Sequence, residues 1–384
     1  MLSLLGLVLI PLVLGGLGAL IFKSRITVKE FLLLEAIALV LCVGGWGIAR
    51  YGAMQDTEHW NGRVSAKTHG SQKCCHCRMV CDRYEDYCSS RHKDGSCSSH
   101  SRRCVSEHEV CDHFRDYWWS LELDMGDTLE VDRCEPHEND VPEIWRRAYV
   151  GEPATKDHSY TNYLRADPDS LMHRSVVKPE YIARIPARIP PVTGMYHSAK
   201  VIQDGVSLPT GWDEQMRELN ADISGPFQVD VMLYVTNVQD PSYADSVEAK
   251  WLYGPKNALT IVAGTDGKTF TWARVVTLSR VEELKVLMRD KLTGLSVDDP
   301  TGGIKVIRQV VTSKFKRTPM KEWEYLASAA APSDGWLTFL YILMTILTLG
   351  GLYVMHENDI FGEEGGSWGG LRRSRNPWNR DPWA

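Results

Sequence analysis

The chain has 384 residues, with 43 Lys and Arg against 49 Asp and Glu and a formal net charge of −6, which is room for about two domains. That mild acidic balance argues against a nucleic-acid partner, which needs a basic face. It also conceals three long apolar runs, Leu2 to Phe22, Phe31 to Ile48 and Trp336 to Met355, each close to the roughly 20 residues a helix needs to cross hydrocarbon, so the lipid bilayer is the first partner implied.

Residues 1–22 predict a transmembrane helix that is retained. A cleaved signal peptide carries a basic n-region and a short apolar core, whereas no Lys or Arg precedes Lys23. Residues 23–30 form a short loop with Lys23, Arg25 and Lys29, residues 31–49 a second span, residues 335–355 a third, and residues 356–384 a Gly/Arg/Trp-rich tail with Arg372, Arg373, Arg375 and Arg380. Basic residues favour the cytoplasmic side. This places the loop and the tail inside, the N-terminus and residues 50–334 outside, and the protein in an inner (cytoplasmic) membrane. Lys314, Lys316, Arg317 and Lys321, ahead of the third span, pull the other way. Glu35 in the second span is about one turn from the loop, near enough to snorkel.

Nine of the ten cysteines fall between Cys74 and Cys134, a density expected of an oxidising compartment. Cys74, Cys81 and Cys88 are seven apart, as are Cys97, Cys104 and Cys111. Seven residues are close to two helical turns, so residues 50–134 predict a helical hairpin, turning at Asp94-Gly95, followed by a β-hairpin. Antiparallel helices would staple Cys74 to Cys111, Cys81 to Cys104 and Cys88 to Cys97, leaving Cys75, Cys77 and Cys134 with at least one free or intermolecular thiol. The layout resembles, by analogy, the stapled hairpins of twin-cysteine proteins. The competing reading is zinc, with ligands from Cys75, His76, Cys77 and Cys81 and from His92, His100, His108 or His113; the paired Cys-x2-Cys signature is absent, so no cofactor is the primary expectation.

The run DYWWSLELDMGDTLEVDRC predicts two strands around Met125-Gly126-Asp127. Residues 135–211, interrupted by nine prolines and marked by Tyr160, Tyr163, Tyr181 and Tyr196, read as an extended wrapping arm with short helices near Tyr160 and Leu171. From Trp212 the pattern becomes regular: a helix, the strand QVDVMLYVT, the helix YADSVEAKWL, the strands KNALTIVAG and TFTWARVVT around Asp266-Gly267, and two amphipathic helices, the last capped by Asp299 or Thr301. KEWEYLASAA then continues as a helix toward Trp336. Residues 212–331 are thus an α/β domain with helices on a small mixed sheet, and the fold class is an α+β membrane protein.

The run from Val229 to Arg317 resembles the TPM domain, a small α/β module usually anchored beside a membrane helix. The likeness rests on Lys250-Trp251-Leu252-Tyr253-Gly254 closing a helix, Lys256-Asn257-Ala258-Leu259 entering a strand, and Gly303-Ile304 opening the late helix. The acidic residues implicated in metal binding in that family do not map onto this chain. The whole chain is also similar to membrane proteins of large tailed phages, on Gly151-Glu152-Pro153, Tyr160-Thr161-Asn162-Tyr163-Leu164, Asp169-Ser170-Leu171, Gly254-Pro255-Lys256-Asn257 and Phe315-Lys316-Arg317. That resemblance implies a host envelope and no activity.

The Gly-Lys-Thr at Gly267 to Thr269 is no phosphate loop, because a strand follows where a helix N-terminus is required. Two functions remain. The first is a non-catalytic extracytoplasmic binding or assembly domain acting on an envelope protein, with Trp251, Tyr253, Lys256 and Asn257 as a partner-binding patch. The second is a metal-dependent, phosphatase-like hydrolase using Asp230, Asp240, Asp245 and Asp266 near strand ends.

Overall fold

The structure, a computed structural model, describes residues 2–22, 26, 28–91, 96–167 and 177–357. In chain order it has helices α1 (Leu2–Ile21) and α2 (Val28–Met54), strands β1 (Gln55–Lys73), β2 (Cys77–Arg91), β3 (Cys97–Cys111), β4 (Arg115–Leu123) and β5 (Thr128–Glu135), and helix α3 (Glu143–Arg147). Next come β6 (Pro153–Thr161), α4 (Tyr163–Ala166), α5 (Pro179–Arg184), β7 (Val201–Asp204), α6 (Trp212–Phe227) and β8 (Asp230–Thr236). The chain continues through α7 (Tyr243–Trp251), β9 (Ala258–Thr265), β10 (Phe270–Thr277), α8 (Glu282–Leu292) and α9 (Pro300–Lys314), and ends with α10 (Asp334–Glu357). Lys23, Arg25, His92, the Asp94-Gly95 turn, the helix expected near Leu171 and the tail from residue 358 lie outside the described residues.

The chain divides into two units, one made of Met1–Asp56, Thr161–His173 and Met320–Ala384 and the other of Thr57–Tyr160 and Arg174–Pro319. In the first, α1, α2 and α10 are all long and apolar enough to cross a membrane. They meet over Leu7, Ala38, Cys42, Trp46, Leu340 and Met344. Small residues permit the approach: a Cβ on Gly18 would strike Leu352 at 2.6 Å, and one on Gly351 would strike Leu34 at 2.5 Å. Leu5, Leu12, Leu17, Val40, Ile48, Ile342 and Ile346 stay exposed on the outside of this bundle. Asn162 caps α4 by accepting from the Arg165 N–H at 3.2 Å. Ahead of α10 the chain forms a 3-10 helix, Met320–Ser328, instead of the expected continuous α-helix.

In the second unit β10, β9, β8 and β7 form a mixed sheet in that order, with β9 and β10 antiparallel and β7, β8 and β9 parallel. Every side chain of β8 is buried, as a parallel strand covered on both faces requires. Alternation then sorts them. Val231, Leu233 and Val235 pack with Trp212, Met216, Leu284, Ile307 and Val311 of α6, α8 and α9, while Met232 and Tyr234 pack with Tyr243, Val247 and Trp251 of α7. The element order from α6 to α9 is the order the sequence predicts. Asp299 caps α9 by accepting from the Gly302 N–H at 2.9 Å. After α7, Leu252, Tyr253 and Gly254 are all left-handed, with φ of 50°, 65° and 77°. Only glycine takes that conformation without steric penalty, so Gly254→Ala is expected to lower stability by about 1 to 2 kcal/mol in chemical denaturation.

A second sheet has the order β5-β4-β1-β6. The predicted β-hairpin supplies β4 and β5, and the 19-residue β1 was not expected from its sequence. The Pro/Tyr-rich arm is not simply a wrapping: it contributes an edge strand to each sheet, β6 and β7, and Tyr160 lies in β6. The two sheets of this unit meet across polar contacts. Asn61 donates to Asp230 at 2.8 Å and Thr155 donates to Asn61 at 2.7 Å.

The cysteine-rich segment differs most from expectation. It is a two-stranded antiparallel ribbon of β2 and β3, with no helix among its described residues. The register shows why a seven-residue spacing misleads: Asp82, Ser98 and Val105 are each skipped in the pairing. One bulged residue in each interval leaves six pleated positions, an even number, so the cysteines share one face of a strand. Cys81 bonds Cys104 and Cys88 bonds Cys97, while Cys111 bonds Cys77 rather than Cys74. Cys77 and Cys111 are direct cross-strand partners with Cα atoms 4.0 Å apart, and Cys74 precedes the strand. Cys75 bonds Cys134 of β5, so none of the three left-over cysteines is free; the free thiols are Cys74 and, in α2, Cys42.

Candidate functional site

The four residues of the expected partner-binding patch turn inward instead. Trp251 is 8 % exposed and its indole N–H donates to the Pro186 carbonyl at 2.9 Å, which is the behaviour of a core aromatic whose one polar atom is satisfied. Asn257 is 2 % exposed and donates to the His59 carbonyl at 2.7 Å, and Tyr253 is half-buried. Lys256 donates its backbone N–H to the Tyr160 hydroxyl at 3.0 Å and holds its ammonium 4.1 Å above that ring and 3.3 Å from Glu58. Lys256 and Asn257 thereby join the start of β9 to β1 and β6 of the neighbouring sheet, while Trp251 ties α7 to the arm at Pro186.

Glu58 and Asp230 are the charged centres of that joint, and both are buried. Glu58 accepts from Arg317 on both carboxylate oxygens, at 2.9 and 3.0 Å, and from the Trp60 indole at 3.0 Å. Asp230 meets the fully buried Lys200 at 2.5 Å and His59 at 3.4 Å. Burial alone would push the Asp230 carboxyl up, but the charge of Lys200 and the His59 hydrogen bond hold it well below the usual carboxylate range. His59 reaches Asp157 through its other nitrogen at 3.3 Å.

The four carboxylates of the hydrolase reading do not converge. Asp230 is sealed in the joint; Asp240 pairs with Lys178 at 2.7 Å, which pulls its carboxyl down; Asp245 pairs with Arg274 at 3.1 Å. Asp266 accepts the backbone N–H groups of Thr269 and Lys268 at 2.8 Å each, closing its own hairpin turn and lowering its carboxyl. A shallow groove of about 380 Å³ does lie at the carboxyl ends of the parallel strands, lined by Gly205, Ser207, Asn237, Gln239, Thr265 and Asp266. It brings together a single carboxylate and neutral amides and hydroxyls, a surface suited to hydrogen-bonding and lacking a general acid–base pair.

At the base of the ribbon four metal-ligating side chains meet: Cys74, His76, His113 and Asp116. Two of the expected zinc ligands, His76 and His113, are among them, whereas Cys75, Cys77 and Cys81 are consumed by disulfides. Cys74 and Asp116 were missed. In the sequence Cys74 falls in the seven-residue series that predicts a disulfide, and Asp116 sits in an apolar strand, where a fully buried acid beside two histidines is visible only after folding. No protein-family model, curated protein or solved structure matches the chain.

Proposed function

We propose that the chain is an integral protein of an inner membrane, anchored by its three apolar helices, whose oxidised domain lies outside the cytoplasm and works by binding or assembling with an envelope protein, without catalysis. One combination carries this reading: three helices long and apolar enough to span a bilayer occur in one chain with four disulfides, bonds that persist outside the reducing cytosol. The apolar outer surface of the helix bundle supports a lipid environment, since water would penalise it. The ribbon supports binding. It exposes Met79, Tyr84 and Tyr87 at 58, 59 and 49 %, along with two strand edges of the kind that accept an added strand. The separation of the four acids into four private contacts favours this over the hydrolase reading. The helix and strand order from α6 to α9 is compatible with the TPM resemblance, and the resemblance to phage proteins supports a phage-encoded protein at a host envelope.

Labelling tests the topology. In spheroplasts expressing the full chain, a membrane-impermeant amine reagent is expected to modify the exposed Lys268 and Lys291, and to reach Lys29, in the first turn of α2, only after lysis. Modification of Lys29 alone in intact spheroplasts would overturn the assignment.

A further inference from the structure

The geometry points to a zinc site at the base of the ribbon, formed by Cys74 Sγ, His76 Nδ1, His113 Nε2 and Asp116 Oδ1. Each of the four side chains offers one ligand atom within 4.8 Å of those of the other three. They come from the two connections that join the ribbon to the sheet: the β1–β2 link carries Cys74 and His76, and the β3–β4 link and the start of β4 carry His113 and Asp116. A metal held there would fasten both legs of the ribbon to one point.

The side-chain arrangement suits a cation better than a hydrogen-bonded network. His113 Nε2 lies 3.4 Å from Cys74 Sγ and also contacts Asp116 Oδ1. One ring nitrogen carries either one proton or one lone pair, so it cannot form full hydrogen bonds with a thiol and a carboxylate at once. A shared metal removes the conflict. Bonds of ~2.0 to 2.3 Å in a tetrahedron place neighbouring ligand atoms about 3.3 to 3.6 Å apart. The Cys74–His113 distance fits that edge; His113 Nε2 and Asp116 Oδ1 stand closer than it and must separate as a metal enters, and His76 Nδ1, 3.9 Å from Asp116 Oδ2 on the exposed side, closes by turning its ring. A cysteine-nucleophile triad is the wrong description, because it needs thiol and carboxylate on different nitrogens of the imidazole, and here both meet at Nε2.

The surroundings are those of an outer coordination shell. The His76 N–H donates to Cys74 Sγ at 3.3 Å, and the Cys75 N–H donates to Asp116 Oδ2, leaving Oδ1 for the metal. Asp116 is fully buried and Cys74 is 7 % exposed. The redox state of the segment adds an independent argument. Cys74 Sγ lies within 4.8 Å of the Cys77 and Cys111 sulfurs, yet it is the one thiol left in a segment whose other cysteines are all bonded. A free thiolate so placed exchanges with the neighbouring disulfide, and coordination prevents this.

The full chain in detergent, oxidised and free of reductant, is tested with zinc and cobalt alone. One zinc per chain by elemental analysis is expected, with cobalt giving the visible bands of a tetrahedral site and a thiolate charge-transfer band that Cys74→Ser removes. Iodoacetamide alkylation of Cys74 should slow at least about tenfold when zinc is added. His76 is exposed, so His76→Ala should fold with all four disulfides intact and bind zinc at least about tenfold more weakly. A chain with four mapped disulfides that takes up neither metal, alkylates at the same rate with zinc, or binds zinc unchanged in His76→Ala overturns the site.

Discussion

Reduction of the disulfides is expected to unfold the ribbon while the mixed sheet stays folded. Among the described residues β2 and β3 pair only with each other, and most of their described side chains are exposed, including the apolar Met79, Tyr84 and Tyr87. A two-stranded ribbon without a buried apolar face is marginal in water, so its order depends on three cross-strand bonds spanning 34, 23 and 9 residues. Each such bond contributes about 2 to 4 kcal/mol by restricting the unfolded chain, the longer loops more, although nested loops do not add in full. The sheet body has no such dependence. Its main core contains Trp212, Leu233, Ile261, Phe270 and Ile307 and no cysteine. In reductant, hydrogen exchange in residues 77–111 should therefore lose its protection, while residues 230–277 exchange as slowly as before. Retained protection in the ribbon would show that contacts other than the disulfides hold it, and loss in both regions would show that the ribbon supports the body.

The contrast between these two regions also explains what the sequence revealed. From Trp212 onward, period and punctuation agree: Asp266-Gly267 marks the hairpin turn, and apolar residues three and four apart mark α8 and α9. The three apolar helices are equally plain, because length and composition suffice. The ribbon failed for a different reason. Its faces are set by bulges at Asp82, Ser98 and Val105, which no local pattern announces, and a seven-residue interval fits two helical turns as well as six pleats and a bulge. β1 failed because its QDTEHWNGRVSAKTHGSQK run is polar; its partners β4 and β6 lie far along the chain, so tertiary pairing decided its conformation. The candidate sites were legible in part. Trp251 and Asn257 carry the residue types of a binding patch, and only the Pro186 and His59 carbonyls they bond reveal them as structural. His76 and His113 stood out as metal-binding residue types, but their joint geometry with Cys74 and Asp116 depends on two loops 39 residues apart meeting at the ribbon base.

Asp230→Ala is expected to lower stability by about 3 to 5 kcal/mol, because it leaves the Lys200 ammonium buried without its counter-charge. Lys200 is fully buried and Asp230 is 2 % exposed, so neither water nor salt can replace the lost partner. Replacing both ends, as Asp230→Asn with Lys200→Met, should cost clearly less than the sum of the single changes. The two sites touch, and the double variant buries no unpaired charge. The pair also fixes a pH dependence. The Asp230 carboxyl is held below its unfolded value of about 3.9, so its contribution is fully present above that value and is lost as the pH falls through the folded pKa. Tryptophan-monitored denaturation of the full chain between pH 6 and 3 should show the wild type losing stability toward the acid end. The double variant, with no carboxylate at position 230, should lose less over the same range. Equal slopes would mean that the acid sensitivity arises elsewhere, with Asp222 between Arg63 and Arg308 the next carboxylate to test, since its carboxyl is lowered against the effect of its own burial by those two guanidinium groups.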